Sequence, residues 1–195
     1  MRTGEKNRIT KETAISVRVS LDGSREREID TGIAFFDHML DAMAKQGFFG
    51  LKVHCQGDLE VDSHHTVEDT GIVFGQALAE AVGDKAGIFR FGNFMLPMDE
   101  VLALVALDFS GRPFFCFDAD LPQGIYCGQM EAQLAEEFFR AVAMAAGLTL
   151  HIKVLSGKNA HHILEALFKG FGRALAQAVA FDERVEGIPS TKGAL

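Results

Sequence analysis

Two copies of one short motif carry the chemistry of this chain: His64-His65-Thr66-Val67-Glu68 and His161-His162-Ile163-Leu164-Glu165. In each, the first histidine and the glutamate stand four residues apart and share a helix face, while the second histidine points about 100° away. One metal ion cannot easily take all three side chains. Two metals with ligands exchanged between the two helices can: His64 and Glu68 then share one ion with His162, and His161 and Glu165 share the other with His65. A single vicinal histidine pair is an ordinary feature of a helix start. Two pairs at matched positions of a duplication are not. Imidazole with carboxylate suits Mn, Fe or Zn, and the lack of thiolates argues against a soft-metal site. His54 and His151 alternate with the apolar positions Leu51, Val53, Cys55 and Leu148, Leu150, Ile152, and read as surface or interface residues.

The elements that must position these groups follow from hydrophobic period. Thr13 to Leu21 alternates Ile15, Val17, Val19 and Leu21 with polar residues, a half-buried strand ending in the turn Asp22-Gly23. Ile33 to Gln46 has helical spacing and stops at Gly47. Gly50 to Gln56 alternates again, and His64 to Val82 reads as a long helix closed by Gly83. The pattern restarts near Phe91. Val101–Phe109 and Phe114–Phe117 read as strands, Met130–Ala146 as a helix, Leu148–Leu155 as a strand and Asn159–Ala180 as a helix. Each half runs strands, helix, strand, helix. Residues 50–79 slide onto 147–176 without a gap, with identities at Gly50, Leu51, His54, His64, His65, Glu68, Phe74, Gly75, Ala77, Leu78 and Ala79. Such a repeat implies a duplicated α+β fold about an approximate two-fold axis. No Pro-, Gly- or Ser-rich linker parts the halves, so one domain is expected, made of residues 1–86 and 87–195.

Composition narrows the function. Lys plus Arg number 19 against 27 Asp plus Glu, a net charge of −8, which disfavours general binding to nucleic acid or anionic membrane. With 17 Phe, one Tyr and no Trp, the aromatics are core filler rather than a stacking platform. Cys55, Cys116 and Cys127 form no CxxC pair and leave an odd number, which fits a reducing cytoplasm. The charged N-terminus lacks the apolar stretch of a signal peptide, and the longest aliphatic run, Val101–Leu107, is too short to span a bilayer. A cytoplasmic protein without membrane or nucleic-acid partners is expected.

The motifs extend beyond the histidine pairs. TKET (10–13), LDG (21–23), FFDHML (35–40), HHTVEDTG (64–71), FGNFMLPMDE (91–100), DFSGRPFF (108–115), EFFRA (137–141), TLHI (149–152), HHILEALFK (161–169) and PSTKG (189–193) occur in this order. Together they cover nearly the whole chain, and the sequence closely resembles the imidazoleglycerol-phosphate dehydratase family. The resemblance implies a fold like the ribosomal S5 domain 2 family, with all helices on one face of each sheet. It implies two Mn²⁺ per active site. His38, His65, His161 and Glu165 would surround one ion. His64, Glu68 and His162 would surround the other, with a further ligand just before the Phe-Phe pair. Family members often carry His there; this chain has Glu137, and a carboxylate is an acceptable Mn ligand.

For the substrate, the resemblance implies phosphate contacts from Arg90, Arg112, Lys169, Ser190 and Lys192. Thr191 lies in the same Pro- and Gly-bounded loop, and Gln46 in a substrate-contacting stretch. Arg suits phosphate through its bidentate fork. Glu12 is implied as the general acid/base. The implied reaction removes water from D-erythro-imidazole-glycerol phosphate to give imidazole-acetol phosphate. The proton lost from carbon is not acidified by a carbonyl, so the ring must supply activation, as a di-manganese-bound imidazolate that expels the hydroxyl through a diazafulvene-like intermediate. Relatives assemble into shells of 24 subunits with active sites at subunit contacts, and 195 residues leave no room for the phosphatase domain of bifunctional relatives. Two other readings use the same ligands: a dinuclear metallohydrolase acting on a phosphate ester, and a metal-held storage or structural oligomer. Neither accounts for the basic positions together with Glu12.

Overall fold

Alternate burial builds the strands in the computed structural model, which describes residues 1–193. The first half contains β1 (Thr3–Ile9), β2 (Thr13–Ser20), β3 (Arg27–Asp30), α1 (Ala34–Gly47), β4 (Gly50–Gly57) and α2 (His64–Val82). Ile15, Val17 and Val19 of β2 and Leu51, Val53 and Cys55 of β4 bury one sheet face. The strands lie in the order β1-β2-β4-β3, antiparallel except for the parallel pair β3–β4. The second half repeats this plan with β5 (Phe91–Met98), β6 (Val101–Asp108), β7 (Phe114–Asp118), a short ribbon of β8 (Tyr126–Cys127) and β9 (Met130–Glu131), α3 (Leu134–Ala146), β10 (Thr149–Ser156) and α4 (Ala160–Val179). Its sheet order is β5-β6-β10-β7, again with one parallel pair, β7–β10. The expected α+β architecture of two duplicated sheet-and-helix lobes is therefore present.

Each lobe covers its sheet with its own long helix, α2 on β1 and β2, α4 on β5 and β6. The lobes then join helix to helix, α1 on α4 and α2 on α3. Phenylalanines fill the seam. Phe138 stacks on Phe168 at 5.1 Å between ring centroids, with Phe36 edge-on to Phe138 at 5.4 Å and Phe139 tilted against Phe168 at 4.8 Å. All four are fully buried. Arranged rings of this kind add to the stabilisation from removing their area from water.

The register of the duplication differs from the ungapped slide. Gly4 of β1 meets the Ala77 carbonyl of α2 just as Gly92 of β5 meets that of Ala174 on α4, so β1 maps onto β5 by 88 residues; strand pairing then carries β2 onto β6 by 88 and β4 onto β10 by 99. The helices α2 and α4 keep the offset of 97. The difference, 99 − 88 = 11, is the extra chain between β7 and α3 that carries the β8–β9 ribbon. His54 therefore corresponds to Lys153, not to His151. Both face a matching aspartate, His54 to Asp30 at 3.7 Å and Lys153 to Asp118 at 2.6 Å. A shift of two preserves strand parity, which is why the slide still matched faces. Strands β1, β3, β8 and β9 had no periodic signal. β1 buries only Gly4, because as an edge strand it is covered on one side by α2 and carries charges elsewhere. Met130 and Glu131 belong to the ribbon, so α3 starts at Leu134 rather than Met130. No helix among the described residues is long and apolar enough to cross a membrane.

Close helix contact depends on glycine. A methyl group on Gly172 of α4 would press into the carbonyl oxygen of Met43 on α1. Gly75, its counterpart on α2, would meet the Val142 carbonyl and the Ala145 side chain, both at 2.8 Å. Gly172→Ala should therefore destabilise the fold by about 1–3 kcal/mol despite alanine's better helix propensity. The denaturant midpoint of G172A checks this; an unchanged or raised midpoint would show that the helices can part without cost.

Candidate active site

The α4 helix begins at Asn159, whose side chain accepts from the His162 amide at 3.3 Å and caps the first turn. From that start, His161 and Glu165 fall on one face, with Nε2 and a carboxylate oxygen 3.4 Å apart. The neighbouring α1 delivers His38. The ligating atoms of His38, His161 and Glu165 all lie within 4.8 Å of one another. Glu165 is 8% exposed and its other oxygen accepts from Lys169 Nζ at 2.6 Å. Burial pushes the Glu165 carboxyl up, but Lys169, with His38 and His161, outweighs it and holds the group ionised below its ordinary value. A buried carboxylate facing two imidazoles is a donor set suited to a divalent cation of the Mn, Fe or Zn type.

The first lobe holds the matching half. His64 Nε2 lies 3.4 Å from Glu68. Both α1 and α3 end in a left-handed residue, Phe48 at φ 58° and Gly147 at φ 67°. Aligning those ends, again by 99 residues, puts Glu137 of α3 where His38 stands on α1. Glu137 and His64 line one cavity of about 160 Å³, together with Gln133, Leu134 and Glu136. Arg140 Nε sits 3.6 Å from the Glu137 carboxylate. Among the described residues His38, His161 and Glu165 alone converge as a group of three; their counterparts are looser, with His64 paired to Glu68 and sharing a cavity with Glu137.

The second histidines turn elsewhere. His65 Nδ1 contacts both Asp58 oxygens at 3.0 and 3.2 Å, and its Nε2 lies 3.9 Å from Glu12. His162 Nδ1 contacts Glu100 at 2.8 Å, and its Nε2 lies 3.5 Å from Asp99. Asp58 raises the His65 pKa, and Glu100 raises that of His162 while its own falls to about 2. His65 lies outside the His38–His161–Glu165 group, so the exchange of ligands between the two helices is not made within one chain. The reason is packing: α2 lies on α3 and α4 on α1, which keeps the two histidine pairs apart.

Sequence motifs alone did not single out Asp58, Asp99 or Glu100. A signal for Glu100 did exist. Glu12 and Glu100 both directly precede the inner strand of their lobe, at the offset of 88 that also matches Arg2 with Arg90, Gly4 with Gly92 and Val17 with Val105.

Arg90, Arg112, Ser190, Thr191 and Lys192 come together with Pro189 around an open cavity of about 520 Å³. Arg90 forks onto Asp108 at 2.6 and 3.0 Å and donates to the Pro189 carbonyl at 2.9 Å, which fastens the loop. Arg112 and Lys192 make no ion pair among the described residues and give the cavity its free positive charge. Lys169 is not in this group; it stands at Glu165. Gln46 is half-buried at the end of α1, eight residues and about 12 Å of helix beyond His38. The cavity adjoins the start of β5 and Glu100 follows its end, so roughly 23–27 Å of strand separates the anion cavity from His162.

The chain is similar to known proteins in sequence and in fold. The imidazoleglycerol-phosphate dehydratase family matches residues 31–175. The chain is 55% identical over its full length to the imidazoleglycerol-phosphate dehydratase of Desulfitobacterium hafniense (strain Y51), covering 99% of that protein. It is 56% identical over 98% of its length to that of Acetivibrio thermocellus, covering 97% of it. Among solved structures, imidazoleglycerol-phosphate dehydratase from Staphylococcus aureus subsp. aureus N315 superposes with a TM-score of 0.83 at 40% identity, over 92% of this chain and 99% of that one. The Pyrococcus furiosus protein, in complex with (S)-C348, gives 0.84 at 39% identity, over 97% and 100%.

Losing one charge-assisted bond to phosphate costs about 1.5–3 kcal/mol, or roughly 10- to 150-fold in affinity. Arg112→Ala should therefore weaken binding of a phosphate-ester substrate by that factor and leave bound metal unchanged. Calorimetry alongside metal analysis checks this, and unaltered binding would remove Arg112 from the site.

Proposed function

The chain belongs to the imidazoleglycerol-phosphate dehydratase family, hydro-lyases of histidine biosynthesis, and on that premise we propose that it converts D-erythro-imidazole-glycerol phosphate to imidazole-acetol phosphate with two Mn²⁺ per active site. The observation that carries this reading is the group His38–His161–Glu165, answered in the other lobe by the His64–Glu68 pair and by Glu137 across a shared cavity from His64; on this reading each is one ligand short of a tetrad. His65 and His162, held away from the clusters of their own chain, are the missing ligands, supplied to another copy: His65 to the first cluster and His162 to the second. The correspondence of Glu137 with His38 supports Glu137 as a ligand. Held by these residues, the ions would supply Lewis acidity to the substrate ring.

The rest is done by the chain's own residues. Arg112 and Lys192 hold the phosphate, with Ser190 and Thr191 completing the loop and Arg90 fastening it. Lys169 keeps Glu165 ionised so that it can ligate. Glu12, beside His65, removes the proton from the carbon next to the one whose C–O bond breaks; hydroxyl and proton depart as water, and the enol becomes the ketone as its O–H proton is lost and a proton is gained at the carbon that held the hydroxyl. A small substrate cannot bridge the length of β5, so the phosphate cavity and the metal ligands that hold one molecule come from different copies. This supports a homo-oligomer with sites at subunit contacts, read from the resemblance as a cytoplasmic 24-mer in which residues 1–86 and 87–195 form one dehydratase domain.

Metal-loaded protein should form imidazole-acetol phosphate without releasing inorganic phosphate; phosphate release would favour a metallohydrolase instead. Glu12→Gln should keep two metals per chain and near-normal substrate affinity, while turnover falls by roughly 10²–10⁴-fold. Metal analysis paired with single-turnover kinetics checks this. Near wild-type turnover, or metal lost in step with activity, would make Glu12 structural or a ligand.

A further inference from the structure

We propose that Glu100 is a positioning residue that sets the tautomer of His162, holding the proton on Nδ1 and leaving Nε2 as the nitrogen free to bind metal. The proposal rests on the dehydratase reading only in taking Nε2 as a ligating atom. Glu100 lies in the β5–β6 turn and divides its two oxygens between two tasks. Oε2 faces His162 Nδ1 at 2.8 Å. Oε1 accepts from the amides of Asn159 at 3.0 Å and Lys158 at 3.4 Å, which lead into α4. An ionised carboxylate only accepts hydrogen bonds, so the ring nitrogen facing it must donate. Asp99 lies 3.5 Å from Nε2 without a hydrogen bond to it, so the Glu100 contact at 2.8 Å decides; a neutral imidazole has one donor and one acceptor nitrogen, and the lone pair is thereby placed on Nε2. Histidine ligands of metals are commonly oriented in this way by an outer carboxylate.

His65 is held at the same nitrogen by a different device. Asp58, which follows β4, brings both oxygens to His65 Nδ1 at 3.0 and 3.2 Å. Its carboxylate makes no other hydrogen bond among the described residues. The two second histidines therefore share a proton placement, but their carboxylates come from non-equivalent places in the two lobes. Glu12, the true counterpart of Glu100, lies instead on the Nε2 side of His65.

That difference yields opposite outcomes for two isosteric substitutions. Glutamine at position 100 has one acceptor oxygen for two tasks. The backbone amides before α4 cannot change from donor to acceptor, whereas an imidazole can move its proton between nitrogens. In Glu100→Gln the oxygen should stay on the amides and the NH₂ should face Nδ1, driving His162 to the Nε2–H tautomer. In Asp58→Asn the amide oxygen is free to turn to Nδ1, and His65 should keep its proton there. Nitrogen NMR of ¹⁵N-histidine-labelled, metal-free protein, at a pH well above the ordinary imidazole pKa of about 6.5, reads each tautomer directly. Chelator competition with Mn²⁺ then reads affinity.

The expected result is Nδ1–H at both His65 and His162 in the unsubstituted protein, and Nε2–H at His162 in E100Q, with Mn²⁺ affinity lowered roughly 10- to 100-fold. D58N should match the unsubstituted protein in both measurements. Nε2–H at His162 in the unsubstituted protein would overturn the proposal without reference to any variant. So would an E100Q protein that keeps Nδ1–H and full affinity. The tautomer is read without metal or substrate, so its failure is distinct from failure of the dehydratase reading, which is judged by water loss.

Discussion

Successive residues of an α-helix point about 100° apart, and the organisation of the metal site follows from that angle. Adjacent histidines at a helix start cannot converge on one ion with a glutamate four residues on. His64 and His161 each pair with their own glutamate, while His65 and His162 are left to face something else. In the single chain they face carboxylates. Each chain consequently carries two imidazoles that stand apart from the histidine–glutamate pairs of their own helices. Fusing two similar lobes about an approximate two-fold gives the chain both halves of this relation.

Much of that was legible before any coordinates. The histidine pairs are adjacent in sequence and obey helix geometry, so their division of labour could be read directly. The long strands announced themselves because β2, β4, β6 and β10 bury apolar residues on alternate positions. The edge strands β1 and β3 did not, since a strand with little buried surface has no reason to alternate apolar residues. The strand register of the repeat was misread by two residues for a related reason: period two makes a shift of two invisible to a hydrophobic pattern. Strand pairing anchored by the contacts of Gly4 and Gly92 with α2 and α4 distinguishes the alternatives.

The polar partners were harder to see for a different reason. Asp58 and Glu100 lie in turns, where exposed acidic residues are common and no periodicity marks one as special. Their significance comes from what stands 2.8–3.2 Å away, which is a property of the folded chain. The anion loop is an intermediate case. Pro189 to Gly193 has the composition of a phosphate-binding turn, but its meeting with Arg90 and Arg112 depends on the end of the chain returning to the start of the second sheet. That return places it a full strand away from His162, so the chain separates its cationic and metal-binding ends.

The phenylalanine seam has a consequence for how such a chain comes to exist. Phe36 belongs to the first lobe, and Phe138, Phe139 and Phe168 to the second, and their contacts cross from one lobe to the other. A half-length chain would present its share of these rings to water unless a second half covered them. The covalent fusion makes that association intramolecular and independent of protein concentration. It also releases the halves from identity. A symmetric pair must carry the same residue at both equivalent positions, whereas here one holds His38 and the other Glu137, and Glu12 and Glu100 face opposite nitrogens of their histidines. Asymmetry in the chemistry is thus a freedom conferred by fusion, and the seam shares it: at the same offsets Phe36 answers to Ala135, Phe138 to Met39, Phe139 to Leu40 and Phe168 to Gly71.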